Sequence, residues 1–134
     1  MKSVVDSCVW IAYASLRDRD HDSAVRIVED FLDDESQNFY LTDYIVLEVT
    51  NFLLRKTNPK IAFGMMELVR EHERISMEFV DEELFEEVSA LAKQLKTSLT
   101  DASLVSLMKR TGIKTIYSFD SGFDKIKGLE RRNG

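Results

Sequence analysis

The amino-acid sequence predicts an α/β fold with a mainly parallel central sheet. Two observations carry that expectation. Short apolar runs of strand length alternate with longer segments of helical period, the pattern of strands joined by helical crossovers. Chain breakers are also sparse, with one proline and five glycines in 134 residues, so connections are short and helices take much of the chain.

The elements follow in order. Ser3 to Val5, opened by Lys2, is a strand that ends at Asp6. Ser7 to Ser15 continues as an apolar turn or helix. Asp18 to Asp34 is an amphipathic helix with Ala24, Val25, Ile27, Val28, Phe31 and Leu32 on its apolar side. Asn38 to Leu41 is a second strand, after which Thr42 offers an N-cap for a helix to about Lys56. Asn58-Pro59 restarts a helix through about His72, with the proline in the first turn, where a missing N–H costs little. Ile75 to Val80 alternates as a third strand, and Asp81 opens a helix to about Leu95. Thr100 or Ser98 caps a further helix, Ala102 to Arg110, which Gly112 terminates. Lys114 to Ser118 is the fourth strand. Asp120 follows it, then one short helical turn and a polar tail. Gly128 to Gly134 gives poor support for a last edge strand.

Length fits a single domain over residues 1–134. The composition, 44% hydrophobic and 31% charged, is that of an ordinary globular domain. No stretch approaches the roughly 20 apolar residues of a membrane span. The start, MKSVVDSCVWIAY, carries an acid at position 6 where a signal peptide needs an apolar run, so a cytoplasmic protein is expected. The single cysteine, Cys8, rules out an internal disulfide and argues for a reduced buried thiol. His21 and His72 show no metal-ligand spacing and are expected at the surface. A net charge of −6 argues against broad electrostatic binding of nucleic acid. Bound divalent cations can nonetheless invert the sign of a local acidic site.

In parallel sheets, ligands bind beyond the carboxyl ends of the strands. Asp6 directly follows the first strand and Asp120 the fourth, so both belong to the same sheet edge. Each could alternatively cap the helix that follows it. Glu48 lies in Tyr44-Ile45-Val46-Leu47-Glu48-Val49, a helix apolar on nearly every side. A partly buried carboxylate is expected there, and such a group needs a cation or a partner such as Arg55. Asp101 opens an apolar helix in Leu99-Thr100-Asp101-Ala102, a position that helix-dipole pairing alone would explain. Helix capping and dipoles do not explain the set of four. Converging carboxylates raise one another's pKa, and a hard divalent cation relieves the repulsion. Oxygen-only donors favour Mg²⁺ or Mn²⁺.

The ordered motifs Val4-Val5-Asp6-Ser7, Leu47-Glu48-Val49, Leu99-Thr100-Asp101-Ala102 and Ser118-Phe119-Asp120 resemble the acidic motifs of PIN-domain nucleases, over nearly the whole chain. Size and spacing look most like the VapC toxins of prokaryotic toxin–antitoxin pairs. The resemblance implies a three-layer α/β/α domain that cuts single-stranded or structured RNA with Mg²⁺ or Mn²⁺ held by Asp6, Glu48 and Asp101, with Asp120 as the fourth acid. It further implies that Ser7 and Ser118 support the pocket, that Asp124 assists or replaces Asp120, and that the chain forms a homodimer and meets a cognate antitoxin. The expected chemistry is phosphodiester hydrolysis by metal-activated water, leaving a 5′-phosphate and a 3′-hydroxyl.

Arg17, Arg19, Lys93, Lys96, Lys109 and Arg110 are candidates for phosphate contact, and Trp10, Tyr13 and Tyr44 for base stacking. Other readings are weaker. A phosphorelay receiver needs adjacent acids after the first strand, and Asp6 stands alone. An aspartate-nucleophile phosphatase needs a second acid at position 8, which is Cys8. A non-catalytic PIN-like module for RNA or protein binding, or a PIN RNA-processing nuclease that is not a toxin, remain the alternatives. Retention of all four acids argues against the first of these.

Overall fold

The structure, a computed structural model, describes all 134 residues. In chain order the elements are β1 (Lys2–Val5), α1 (Ser7–Ala14), α2 (His21–Asp33), β2 (Asn38–Thr42), α3 (Asp43–Lys56), α4 (Pro59–Glu71), β3 (Ile75–Glu78), α5 (Glu82–Leu95), α6 (Leu99–Thr111), β4 (Thr115–Tyr117), a 3₁₀ turn (Ser121–Lys125) and β5 (Glu130–Arg132). Five strands form one sheet in the order β3-β2-β1-β4-β5, and every neighbouring pair is parallel. The architecture is the expected three-layer α/β/α arrangement.

That strand order explains the layers. From β1 the chain moves outward to β2 and then β3, so right-handed crossovers put α1 to α4 on one face. It then returns past β1 to β4, so α5 and α6 cover the other face. Helix contacts agree, with α1 against α2 and α3, α3 against α4, and α5 against α6. β1 lies at the centre of the sheet, with Ser3, Val4 and Val5 fully buried. Beneath the helices, Phe31 and Phe39 stack at 4.1 Å and Trp10 meets Phe39 edge-on. No helix is long and apolar enough to cross a membrane.

Local chemistry sets most boundaries. Asn58 caps α4 by accepting from the Ile61 N–H, with Pro59 in the first turn. Asp81 caps α5 through the Leu84 N–H. Gly112, at φ +75°, ends α6 in the left-handed conformation that glycine adopts without strain.

Three expectations need correction. Helix α6 begins at Leu99, not Ala102, because the Ser98 hydroxyl caps it by accepting from the Asp101 N–H. Helix α2 begins at His21 rather than Asp18, since Asp18 to Asp20 forms a turn in which the Asp20 N–H bonds the Asp18 carboxylate. The polar tail does contain an edge strand. β5 pairs with β4, with the Ser118 N–H donating to the Arg132 carbonyl at 3.0 Å and the Glu130 N–H to Lys114 at 2.7 Å. An edge strand with solvent beside it needs no apolar alternation, so it left no periodic signature.

Candidate active site

The connections leave β1 in one direction and reach β4 in the other, so the crevice at their carboxyl ends is the sheet's topological switch point. The sequence places Asp6 after β1 and Ser118 to Asp120 after β4. The Asp6 N–H donates to the Tyr117 carbonyl at 3.0 Å, joining the two strand ends.

Asp6 is 3% exposed and has no ion-pair partner. Its carboxylate accepts from the Ser118 hydroxyl at 2.7 Å, from the Ser7 N–H at 2.7 Å and from the Cys8 thiol at 3.5 Å. Burial nevertheless pushes its carboxyl above the ordinary carboxylate range, and the charge of Glu48 adds to the rise. Ser118 holds the arrangement together, because its oxygen also accepts from the Asp120 N–H at 3.0 Å. Cys8 is half-buried, and its sulfur accepts from the Phe119 N–H at 3.3 Å. Burial and the adjacent Asp6 push that thiol up to about 12, so it stays protonated. The sequence pointed to Cys8 only as a core thiol. Its role beside Asp6 comes from a helical turn that brings position 8 back under the strand end.

Asp101 reaches the same crevice from the first turn of α6. Its carboxylate accepts from the Thr97 hydroxyl at 3.2 Å. Burial first, and then the charges of Asp6, Asp120 and Glu48, push its carboxyl up to about 6. All three other acids thus lie within electrostatic reach of Asp101. Helix α6 is held there by a buried bond of 2.8 Å between the Ser103 and Thr42 hydroxyls, which ties it to the end of β2. Thr42 therefore does not spend its side chain on capping α3.

Glu48 is exposed, not partly buried as its surroundings in the sequence suggest. Ile45, Val49 and Leu53 form the buried side of α3, while Leu47 and Leu54 are apolar residues on the solvent side. Those two leucines mask the amphipathic pattern. No ion pair joins Glu48 to Arg55, whose guanidinium lies over the Phe52 ring at 6.0 Å. Asp120 is exposed at the mouth and caps the 3₁₀ turn through the Gly122 N–H at 2.8 Å. Both carboxylate oxygens of Asp124 are engaged by Arg131, at 2.8 and 3.1 Å, and Arg131 also donates to the Ser118 carbonyl. Arg131 fastens the loop bearing Asp120 to β5, and sequence reasoning missed it along with the strand.

Other candidates separate clearly. Trp10 is a core residue, 1% exposed. Arg110 pairs with Glu87 and Arg19 with Asp20. Arg17, Lys93 and Lys109 are exposed, and only Lys96 lines a cavity with Asp101 and Asp120. Both histidines are half-buried and engaged rather than free at the surface. The His21 Nδ1 lies 2.7 Å from the Ala12 carbonyl, and the His72 ring packs against Phe31 while its Nδ1 accepts from the Arg74 N–H.

The donor set fits a hard divalent cation. It is all oxygen and mutually repulsive, and no lysine or arginine pairs with any of the four acids. No three side chains converge closely enough to hold an ion by themselves. Mg²⁺ takes one or two carboxylates and keeps several waters, so a closed cage is not what it requires.

Comparison with known proteins agrees with this geometry. The PIN domain family model matches residues 3–129. No curated protein sequence matches. Among solved structures, the chain resembles Mycobacterium tuberculosis VapC20, described as a sarcin–ricin loop cleaving toxin, at 21% identity and a TM-score of 0.81, covering 91% of this chain and 92% of that one. It also resembles VapBC2 from Rickettsia felis bound to a promoter DNA fragment, at 11% identity and a TM-score of 0.71, covering 99% and 98%. VapBC-1 from nontypeable Haemophilus influenzae superposes at 15% identity and a TM-score of 0.66, covering 99% and 98%. With its switch-point acids and a family match across nearly its whole length, the chain belongs to the PIN domain family.

Proposed function

We propose that this protein is an Mg²⁺- or Mn²⁺-dependent endoribonuclease and the toxin of a VapBC-type toxin–antitoxin pair. One observation carries the reading: Asp6, buried, and Asp101, half-buried, lie at the switch point beside Glu48 and Asp120, and no protein cation pairs with any of the four. Such a site is a poor structural feature and a good cation receptor. The similarity to VapC20, described as a sarcin–ricin loop cleaving toxin, and to VapBC structures supports the substrate and partner classes.

In this reading Asp6 and Asp101 hold the cation, and Glu48 and Asp120 complete the site from its solvent side. When bound, the cation supplies Lewis acidity at the scissile phosphate and makes water a better nucleophile. Ser118 and the Ser7 N–H fix the orientation of Asp6. Thr97 fixes that of Asp101, and Arg131 with Asp124 fixes the loop that carries Asp120. Glu48 and Asp120, being exposed, can orient the attacking water and accept its proton. Leu47 and Leu54 on the solvent side of α3 suit a protein partner, whether antitoxin or second subunit. The proposed setting is cytoplasmic.

RNA cleavage with Mg²⁺ or Mn²⁺, compared with EDTA and with Asp101→Asn, tests the reading. Cleavage lost in both controls, with 5′-phosphate and 3′-hydroxyl ends, is expected. A 2′,3′-cyclic phosphate end would overturn it, because the ribose hydroxyl would then be the nucleophile.

A further inference from the structure

A cavity of about 180 Å³ opens directly beside Asp101 and Asp120. It lies between the α5–α6 turn and the 3₁₀ turn after β4. Four apolar residues line it: Val105 and Phe123, both buried, with Leu95 and Ile126. Drug-sized ligands need about 300 Å³ or more, so the space suits one planar ring system rather than a large molecule. Its lining thus combines four apolar side chains with the two carboxylates Asp101 and Asp120.

Two cations stand at this slot, Lys96 and Lys125, one from each turn. Both are exposed, and none of the four ion pairs of the protein includes either. They are thus uncommitted positive charges beside an acidic site, in a chain of net charge −6. Lys96 is also the only non-glycine residue with a positive φ, at φ 55° and ψ 48°. Glycine is the usual occupant of such a helix C-cap, and a lysine there is conformationally costly. Strain at the rim of a site is where function is to be sought.

We infer that this slot accepts the unpaired base of a nucleotide next to the scissile phosphate, with Lys96 and Lys125 taking the flanking phosphates. The inference rests on the ribonuclease reading and adds to it the place where an unpaired base sits and the two lysines that flank it. Apolar walls admit any base face, while a paired base inside a helix cannot enter. The protein would therefore select single-stranded or extruded nucleotides by shape, with the lysines supplying the salt-dependent part of affinity.

Abasic scanning of a single-stranded RNA oligonucleotide, cleaved by the wild-type protein with Mn²⁺, tests this. Removing the base at one position beside the cut is expected to raise KM about tenfold, with kcat changed less than about threefold. In Leu95→Trp, which closes the slot from its partly exposed wall, that same removal is expected to change KM less than about twofold. Lys96→Ala with Lys125→Ala is expected to raise KM for the intact oligonucleotide and to make its log–log salt dependence shallower by about 1.4, at about 0.7 per lost phosphate contact. Thermal melting of each variant near the wild-type temperature separates these effects from misfolding. A flat abasic scan, or unchanged abasic sensitivity in Leu95→Trp, overturns the slot and leaves the nuclease reading standing. Absence of cleavage by the wild-type protein overturns both.

Discussion

The two ends of the sheet solve opposite problems. At the amino end, Arg74 precedes β3 and donates to the carbonyls of Phe31, Asp34 and Gln37 at 2.9 to 3.1 Å, and to Leu32 at 3.4 Å. Its guanidinium stacks on the Phe31 ring at 4.3 Å. One side chain thus satisfies the end of α2 and the loop into β2, where helix carbonyls would otherwise lack partners. At the carboxyl end, Asp6 and Asp101 are buried or half-buried beside two more acids, with no cation paired to any of them. Hydrogen bonds from Ser118, Ser7 and Thr97 orient these acids without neutralising them. The difference separates a polar group that stabilises the fold from polar groups that the fold holds at a cost.

That contrast can be broken by exchanging the outcomes of paired substitutions. The largest effect is expected from Asp101→Asn, which should lower RNA cleavage by more than about a hundredfold, since partners of metal ligands alone are worth about 10- to 100-fold. The same change should raise the melting temperature of the metal-free protein, because it removes a repelled charge. A melting temperature that falls would show that Asp101 serves the fold after all. Arg74→Ala should do the reverse. It should cost about 2–4 kcal/mol in denaturant unfolding, from lost charge-assisted bonds and unpaired carbonyls, with cleavage by the folded fraction unchanged.

Ser118→Ala, at the carboxyl end, is expected to have an intermediate effect. It removes the 2.7 Å bond to Asp6 and the acceptor for the Asp120 N–H. A loss of about 10- to 100-fold in Mn²⁺ affinity, read by calorimetry, is expected.

The smallest effect is in pH dependence. The Asp101 carboxyl is raised from its ordinary value of 3.8 to about 6 in the folded protein. Its contribution to stability is therefore present below the ordinary value and is lost as pH rises through about 6. Asp6 shifts in the same direction. Metal-free wild-type protein should lose melting temperature between pH 4 and pH 7 more steeply than Asp101→Asn, and added Mn²⁺ should restore more of it at pH 7 than at pH 5. Parallel melting curves for the two proteins would remove Asp101 from the coupled site.

Sequence alone determined the alternation of strands and helices, because burial on both sheet faces imposes apolar runs of characteristic length and period. It also determined that Asp6 and Asp120 share one sheet edge, because a residue just after a parallel strand has nowhere else to go. Five further features were decided only by the tertiary structure. The exposure of Glu48 depends on which side of α3 meets the sheet, and Leu47 and Leu54 hide that in one dimension. The grip of Cys8 on the Phe119 N–H and the fastening of the Asp120 loop by Arg131 join residues more than a hundred and about ten positions apart, respectively. Strand β5 is held by an edge ladder that needs no apolar pattern. Lys96 and Lys125 lie almost thirty positions apart in the chain and meet at one slot because α6 and β4 return the backbone to the same corner of the sheet. Periodicity reports how a residue sits in its own element, and only packing decides which elements its side chain faces.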